Sequence, residues 1–514
     1  MHTFRVALRP RLRVLLAIVG LCIACGAAAQ GVLRIGLNED PDTLDPTLSR
    51  LATGRQPLTA ICDKLFDVRK DLAIRPQLAL GYEIAGDGRS LVLKLRPDVR
   101  FHDGAAFDAE AVRFNIDRHQ RLPGSFRRSD LEVIDRVEVI DAQTVRLTLK
   151  EPQAYLLLFV LADRPGMMVS PKAATQAGDR FGLQPVCAGE YRFVERVPQG
   201  RIVVERFADY WDRAAASTRG APDRIEYLPI GDSTVRMSAL LSGEIQIAER
   251  LTPTDLPQLA GDSRVKVASA PDLGYHFIRY NTNNGVRART FSDVRVRRAV
   301  DLAIDRKALV HALFNDRYLP GNQFVNPGSI YYDAAHPIQP RNLELSRKLL
   351  KEAGVPNLAF TLLVPAERER QEAAQMVQAM LAEAGITMKI ETQENAVMLQ
   401  NARRGDFEAV FSFWSGRAHP DGNVYVHFAC NGAQNDSKFC DPALDKEMGQ
   451  AREAVNNDQR RDLYRKVNGM LVEAYPMAVL WHRTTYSGLS AKLAGFDADP
   501  DSIIRVKGLS LRQP

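Results

Sequence analysis

The amino-acid sequence predicts a mixed α/β protein of more than one domain, and three observations lead there. Its 514 residues exceed what a single hydrophobic core serves. Its first half carries short stretches in which apolar and polar residues alternate, the period of a half-buried strand. Its second half carries a β-α-β-α-β succession, which implies parallel strands covered by helices. With 45% apolar and 25% charged residues the composition is that of an ordinary globular chain, which excludes disordered, collagen-like and coiled-coil classes.

The chain opens on an export leader expected over residues 1–29. Basic residues from Arg5 to Arg13 precede an apolar run, Val14 to Cys25, and the small residues Ala27, Ala28 and Ala29, with cleavage expected before Gln30. The run is short for a hydrocarbon layer roughly 30 Å thick, so a cleaved leader is preferred to a membrane helix. Leu21-Cys22-Ile23-Ala24-Cys25 departs from the order that precedes a lipid-bearing cysteine, so no anchor is expected at Cys25. No twin arginine is present, which favours general secretion of an unfolded chain over export of a folded, cofactor-loaded one. Without Arg5, Arg9, Arg11 and Arg13 the 68 basic residues fall to 64 against 62 acidic ones. That leaves none of the basic excess a nucleic-acid binder concentrates on one face.

Four cysteines remain after the leader: Cys62, Cys187, Cys430 and Cys440. Export permits disulfides. Cys430 and Cys440 bracket a short loop rich in Asn, Gly, Asp and Ser and are expected to pair. Cys62 then pairs with Cys187 or both stay as buried thiols, since sequence does not fix connectivity.

The element order follows from periodicity. Val32 to Leu37 alternates like a strand and runs into the polar loop Asn38-Glu39-Asp40-Pro41-Asp42. Strands are expected again at Ser90 to Leu95, Thr144 to Leu149, Arg201 to Arg206 and Arg224 to Leu228. A helix capped by Asp108 runs to Arg118, and another spans Ser233 to Ser242 before Gly243. The second half reads as strand Phe360 to Val364, helix Glu367 to Ala384, strand Ile386 to Glu391, helix Asn395 to Arg403 and strand Phe407 to Phe413. Parallel sheets bind ligands at the carboxyl ends of their strands, which points to the loops after Val364 and Phe413. Pro320 to Pro340 is expected to be an irregular surface connection.

Motifs of catalysis are missing from the sequence. It has no nucleophile elbow, zinc-protease helix, phosphate loop or dinucleotide fingerprint. Ser263-Arg264-Val265-Lys266 matches S-x-x-K, but without its companion motifs it reads as part of a strand. His419, His427 and Cys430 lie close in sequence and suggest a metal site, against which stands the simpler reading of histidines beside a disulfide.

Several segments, in order, resemble one family. Phe101-His102-Asp103-Gly104 is followed by Phe107-Asp108-Ala109-Glu110-Ala111-Val112, and Phe207-Ala208-Asp209-Tyr210-Trp211 comes next. The stretch from Phe291 to Arg306, Ala353-Gly354-Val355, Ala384-Gly385-Ile386, Trp414-Ser415-Gly416 with Pro420-Asp421, and Leu493-Ala494-Gly495-Phe496 complete the series. Together they are similar to the extracytoplasmic solute-binding proteins of ABC importers, in the dipeptide, oligopeptide and nickel group. The arginines Arg295, Arg297 and Arg298 are read as decorating an amphipathic helix, and Tyr210-Trp211 as packing.

The resemblance implies a two-lobed periplasmic-binding-protein fold with mixed sheets and a ligand cleft. Residues 30–275 with 488–514 are expected to form one lobe, which includes an extra subdomain. Residues 281–485 form the other, with crossings near 273–280 and 483–488. The implied function is to capture a small peptide-like or other polar solute and pass it to an inner-membrane permease. A monomer is expected, with no enzymatic activity, cofactor or resident metal. In peptide-binding members of the family an aspartate shortly after the loop tryptophan holds the ligand's α-ammonium group. Here Arg417 follows Trp414, and a guanidinium suits an anion instead. The alternative is that Asp421 takes the amine. The candidate ligand contacts are Glu39 and Asp40 after the first strand, Tyr275 and His276 at the first crossing, and Arg368 and Arg370 after Val364. Trp414, Ser415, Gly416, Arg417, His419 and Asp421 complete them. A metal or metallophore receptor of the same fold, using His419 or His427, and an exported hydrolase are the competing readings.

Overall fold

The computed structural model describes residues 31–212, 220–454 and 456–512; the expected leader lies outside the described residues. Among the described residues no helix is long and apolar enough to cross a membrane. Three main sheets organise the chain. The seven-stranded sheet runs Val265–Pro271, Thr484–Ser490, Ile247–Ala248, Val32–Leu37, Arg224–Pro229, Arg201–Arg206, Tyr191–Val197. Only its centre is parallel, where Val32–Leu37 pairs with both Arg224–Pro229 and Ile247–Ala248. The alternation expected there is observed: Leu33, Ile35 and Leu37 turn into a core shared with Leu58, Ile61 and Tyr227.

A four-stranded antiparallel sheet, Ala79–Ile84, Ser90–Leu95, Thr144–Leu149 and Ile134–Asp141, carries its own core. Its helix, Ala109–Arg121, starts where Asp108 accepts a hydrogen bond from the Ala111 amide, and Ala111, Val112, Asn115 and Ile116 share its buried face.

The third sheet has six strands: Leu319–Pro320, Met477–His482, Tyr275–Tyr280, Ala409–Trp414, Ala359–Pro365, Thr387–Gln393. The β-α-β-α-β run supplies its parallel part, in which Ala359–Pro365 is flanked by Thr387–Gln393 and Ala409–Trp414. Phe360, Leu362 and Val364 face Ala374, Val377 and Leu381 of the helix Arg368–Glu383, while Leu363 points to the other face, toward Met398 and Phe407. The sheet is mixed because Tyr275–Tyr280 joins antiparallel to Ala409–Trp414 and Met477–His482. Sequence periodicity reports a strand's faces but not its neighbours, so this pairing was invisible beforehand.

The chain leaves the seven-stranded sheet at Pro271, enters the six-stranded one at Tyr275, leaves it at His482 and re-enters the first at Thr484. The two crossings lie side by side, because Val265–Pro271 pairs with Thr484–Ser490 and Tyr275–Tyr280 with Met477–His482. Asp272 ties them together. Its carboxylate, 1% exposed, accepts from Arg483 Nη2 (2.8 Å), Thr485 Oγ1 (3.0 Å), Ser502 Oγ (3.2 Å) and the Gly274 amide (2.8 Å).

Both cysteine pairs are bonded, Cys62–Cys187 and Cys430–Cys440. Two readings need correction. The stretch from Pro320 to Pro340 is not all surface, since Gln323, Phe324 and Val325 are buried and Phe324 packs in a core with Tyr275 and Phe428. Arg295 and Arg298 are exposed, but Arg297 is buried and donates to the carbonyls of Phe291, Ser292, Ala474 and Tyr475, so it fastens its helix to the chain around it.

Candidate functional site

Two cavities flank the carboxyl end of the strand Ala409–Trp414. The larger, about 570 Å³, lies beyond the ends of Val32–Leu37, Arg224–Pro229, Ala359–Pro365 and Thr387–Gln393, and it reaches the crossings at Arg483. That volume is in the range of small-molecule sites. The smaller, about 110 Å³, surrounds the loop after Trp414. Successive strand residues point to opposite faces, and accordingly Phe413 lines the larger cavity and Trp414 the smaller.

Three guanidinium groups gather round the Phe413 ring. Arg483 stands 5.0 Å from its centroid, Arg250 5.2 Å and Arg370 6.0 Å. They come from three places: Arg250 follows a strand of the seven-stranded sheet, Arg370 opens a helix of the six-stranded half, and Arg483 is the return crossing. Arg483 is held by Asp272, and Arg370 Nε donates to Glu367 (2.8 Å). Arg250 is committed least. Its nearest carboxylate, Glu249, is 3.5 Å away, and its buried Nε has no hydrogen-bond acceptor. Its backbone is left-handed at φ 49°, a conformation that costs a non-glycine residue about 1–2 kcal/mol. Such strain collects where a side chain must be aimed.

Carboxylates oppose this group. Burial raises Glu39, although Thr53 donates to it (2.8 Å) and Arg250 and Arg370 pull the other way. Burial and then the neighbouring Glu367 push Glu369 up to about 7, and its Oε1 has no hydrogen-bond partner. Glu367 is exposed, and Arg370 beside it holds it below the usual range. His276, 2% exposed and stacked on Trp481, is driven well below the ordinary imidazole value, first by burial and then by Arg483, Arg370 and Arg250. It is therefore neutral, with both ring nitrogens unpartnered.

The Trp414 loop is positioned by close approach. A Cβ at Gly274 would sit 2.1 Å from the Trp414 carbonyl oxygen, and one at Gly416, where φ is 71°, would sit 2.2 Å from the Leu273 carbonyl carbon. Only glycine lets this loop lie against the first crossing. Asn423 Oδ1 accepts from Trp414 Nε1 (3.0 Å) and from the Arg417 amide (2.7 Å), which fixes the turn. Arg417 lies over the Trp414 ring at 4.6 Å, and its Nε stands 3.0 Å from Asp163 Oδ2. Asp163 also receives Arg55 Nε on Oδ1 at 3.1 Å. Burial alone would raise Asp163, but Arg55 and Arg417 hold it well below the usual range.

The sequence candidates thus divide. Glu39, His276, Arg368 and Arg370 line the larger cavity, and Trp414, Gly416, Arg417, His419 and Asp421 the smaller. Ser415 accepts from Arg417 Nη1 (3.2 Å). Asp40 turns away to Arg196 (3.1 Å), and Tyr275 is core, its hydroxyl donating to the Asn423 carbonyl (3.0 Å). Asp421 is engaged by Tyr464 (3.0 Å) and Arg452 (3.2 Å). His419 lies among Phe159, Tyr331 and Tyr464, while His427 accepts from Arg279 and Cys430 is in its disulfide. Among the described residues no three His, Cys, Asp or Glu side chains are placed to share a metal ion. Arg250 and Asp163 escaped the sequence reading, since no motif marks them. Arg483 sits at an expected crossing and could have been found there.

Two α/β bodies joined by paired crossings, with charged cavities between them, define a two-lobed solute-binding protein. The profile described as bacterial extracellular solute-binding proteins, family 5 middle, matches residues 73–436. The chain belongs to that family and is the substrate-binding component of an ABC transporter. It is similar to the glutathione-binding protein GsiB of Pectobacterium atrosepticum, 28% identical over 502 residues and 95% of each chain. Its fold matches that of the periplasmic binding protein DppA of Helicobacter pylori in complex with the peptide STSA. There the TM-score is 0.86 and the identity 23%, over 94% of this chain and 98% of that one. It also matches the murein tripeptide binding protein MppA of Escherichia coli, with TM-score 0.84 and 22% identity over 94% and 99%. The family and these relatives are solute-binding proteins, not enzymes.

Proposed function

We propose that the protein, exported through the leader over residues 1–29, captures a small peptide-like solute with a free carboxylate and delivers it unaltered to its inner-membrane permease. The lobes turn about Asp272–Gly274 and Arg483. The seven- and four-stranded sheets lie in one lobe and the six-stranded sheet in the other. The observation that carries this reading is the convergence of Arg250, Arg370 and Arg483 on Phe413. A carboxylate buried by closure needs opposite charge and several donors, and planar guanidinium forks supply both. The donors come from both lobes and from a crossing, so the solute gains most when the lobes are shut, as a closing trap requires. The names of the relatives, which bind glutathione or peptides, agree with this solute class.

Native mass spectrometry of protein purified from its own source should reveal a carried-over solute bearing a carboxylate. Calorimetry with that solute should show Arg250→Gln and Arg370→Gln each weakening binding by about tenfold or more, and prolonged incubation should return it intact. A neutral sugar as the carried-over species, unchanged affinity in both variants, or turnover would overturn the proposal.

A further inference from the structure

The smaller cavity carries many charges, yet each buried carboxylate already faces an arginine, although Asp163 Oδ2 is matched by charge and accepts no hydrogen bond. Asp163 lies between Arg55 and Arg417, Asp130 faces Arg127 at 3.3 Å, and Asp421 is held by Arg452 and Tyr464. Asp501, at the same cavity, is held by Arg505 at 2.7 Å. The remaining carboxylate, Glu132, is exposed at the rim, where water screens it. Besides the unpartnered Nε2 of His419, what the cavity offers a guest is its apolar wall: Phe126, Leu156, Phe159, Trp414 and Tyr425.

Arg417 completes this arrangement from across the cleft. It belongs to the six-stranded lobe and Asp163 to the other, so the ion pair forms between lobes. It is also held in place before any guest arrives, by Asn423 at its amide, by the Gly416 carbonyl at Nη1 (2.7 Å) and by the Trp414 ring beneath it. A guest ammonium entering here would meet buried carboxylates already occupied by arginines and would lose its own hydration without compensation. We infer that the cavity beside Trp414 is a neutral, apolar-walled subsite which rejects a free ammonium group, with the Arg417–Asp163 pair as its selectivity device. The preferred solutes are then carboxylates whose other end is uncharged, such as N-acylated amino acids and short N-acylated peptides. The inference rests on the reading that the interlobe crevice is the solute site.

The test is calorimetry on a panel of N-acetylated dipeptides and their free-amine parents, which share a carboxylate and differ only at the amine. The native protein should bind at least one acetylated member, and bind it about tenfold or more tightly than its parent, as expected of an uncompensated charge. Arg417→Gln removes the arginine at Asp163 Oδ2 and leaves Arg55 as its ion-pair partner, with Arg164 and Arg127 close by, and the preference should shift toward the free amine by about tenfold. Arg417→Lys keeps the positive charge and should keep the preference, which separates selectivity from any loss of folding. Equal affinities within pairs, a ratio untouched by Arg417→Gln, or no acetylated member bound would overturn the inference. Failure of the carboxylate reading is distinguishable: Arg370→Gln would then leave both members of each pair unchanged, while their ratio still reports on Arg417.

Discussion

Asp272 couples the two crossings, and its energetic role is open to measurement. Its Oδ2 accepts from Arg483, Thr485 and Ser502 at 2.8, 3.0 and 3.2 Å, and the group is 1% exposed. A hydrogen bond to a charged donor contributes about 1.5–3 kcal/mol and each neutral one about 1 kcal/mol. Asp272→Asn preserves the shape but removes the charge and weakens the acceptor, so it should destabilise the protein by about 3–5 kcal/mol. Arg483→Gln alone should cost about 3–5 kcal/mol, because it leaves the carboxylate buried without its cation. The double variant removes both charges and should cost less than the sum of the two by about 2 kcal/mol. Urea unfolding of the ligand-free protein, followed by the signals of its three tryptophans, measures all three. Additivity within about 0.5 kcal/mol would refute the coupling.

Three further predictions follow from other parts of the molecule. Glu369, raised from 4.5 to about 7, is protonated in acid, so the stability tied to it is complete below pH 4.5 and is lost as pH climbs toward 7. Its ionisation adds negative charge beside Arg370 and Arg483; affinity for a carboxylate solute should therefore fall between about pH 6 and 8, and calorimetry on Glu369→Gln should find that decline flattened. Removing Cys62–Cys187, with a sequence separation of 125, should lower stability by about 5 kcal/mol, against about 3 kcal/mol for Cys430–Cys440, with a separation of 10; paired Cys→Ser variants compared by chemical unfolding check the order. Gly416→Ala places a methyl group 2.2 Å from the Leu273 carbonyl carbon at a φ of 71°, so it should cost about 1–3 kcal/mol and weaken solute binding with it; an unaltered melting temperature and affinity would contradict the close-approach argument.

What the sequence determined by itself is local. Alternation set the strands at Val32–Leu37 and Ala359–Pro365, because a strand's two faces repeat every second residue. Asp108 and Gly243 marked helix ends, because an orphan amide needs an acceptor and a left-handed cap needs glycine. The order of motifs was enough to place the chain in its family. The site was legible only in part, since nearness along the chain does not decide which way a side chain points. Glu39 and Asp40 are adjacent, yet one lines the larger cavity and the other pairs with Arg196. Tyr275 and His276 are adjacent as well, and the pleat sends the first into the core and the second to the cavity. The tertiary structure alone decided that Arg250, Arg370 and Arg483 meet at one ring and that Arg417 finds Asp163. Electrostatic partnership depends on distance in space, and segments far apart along the chain are brought within that distance only once the sheets are assembled.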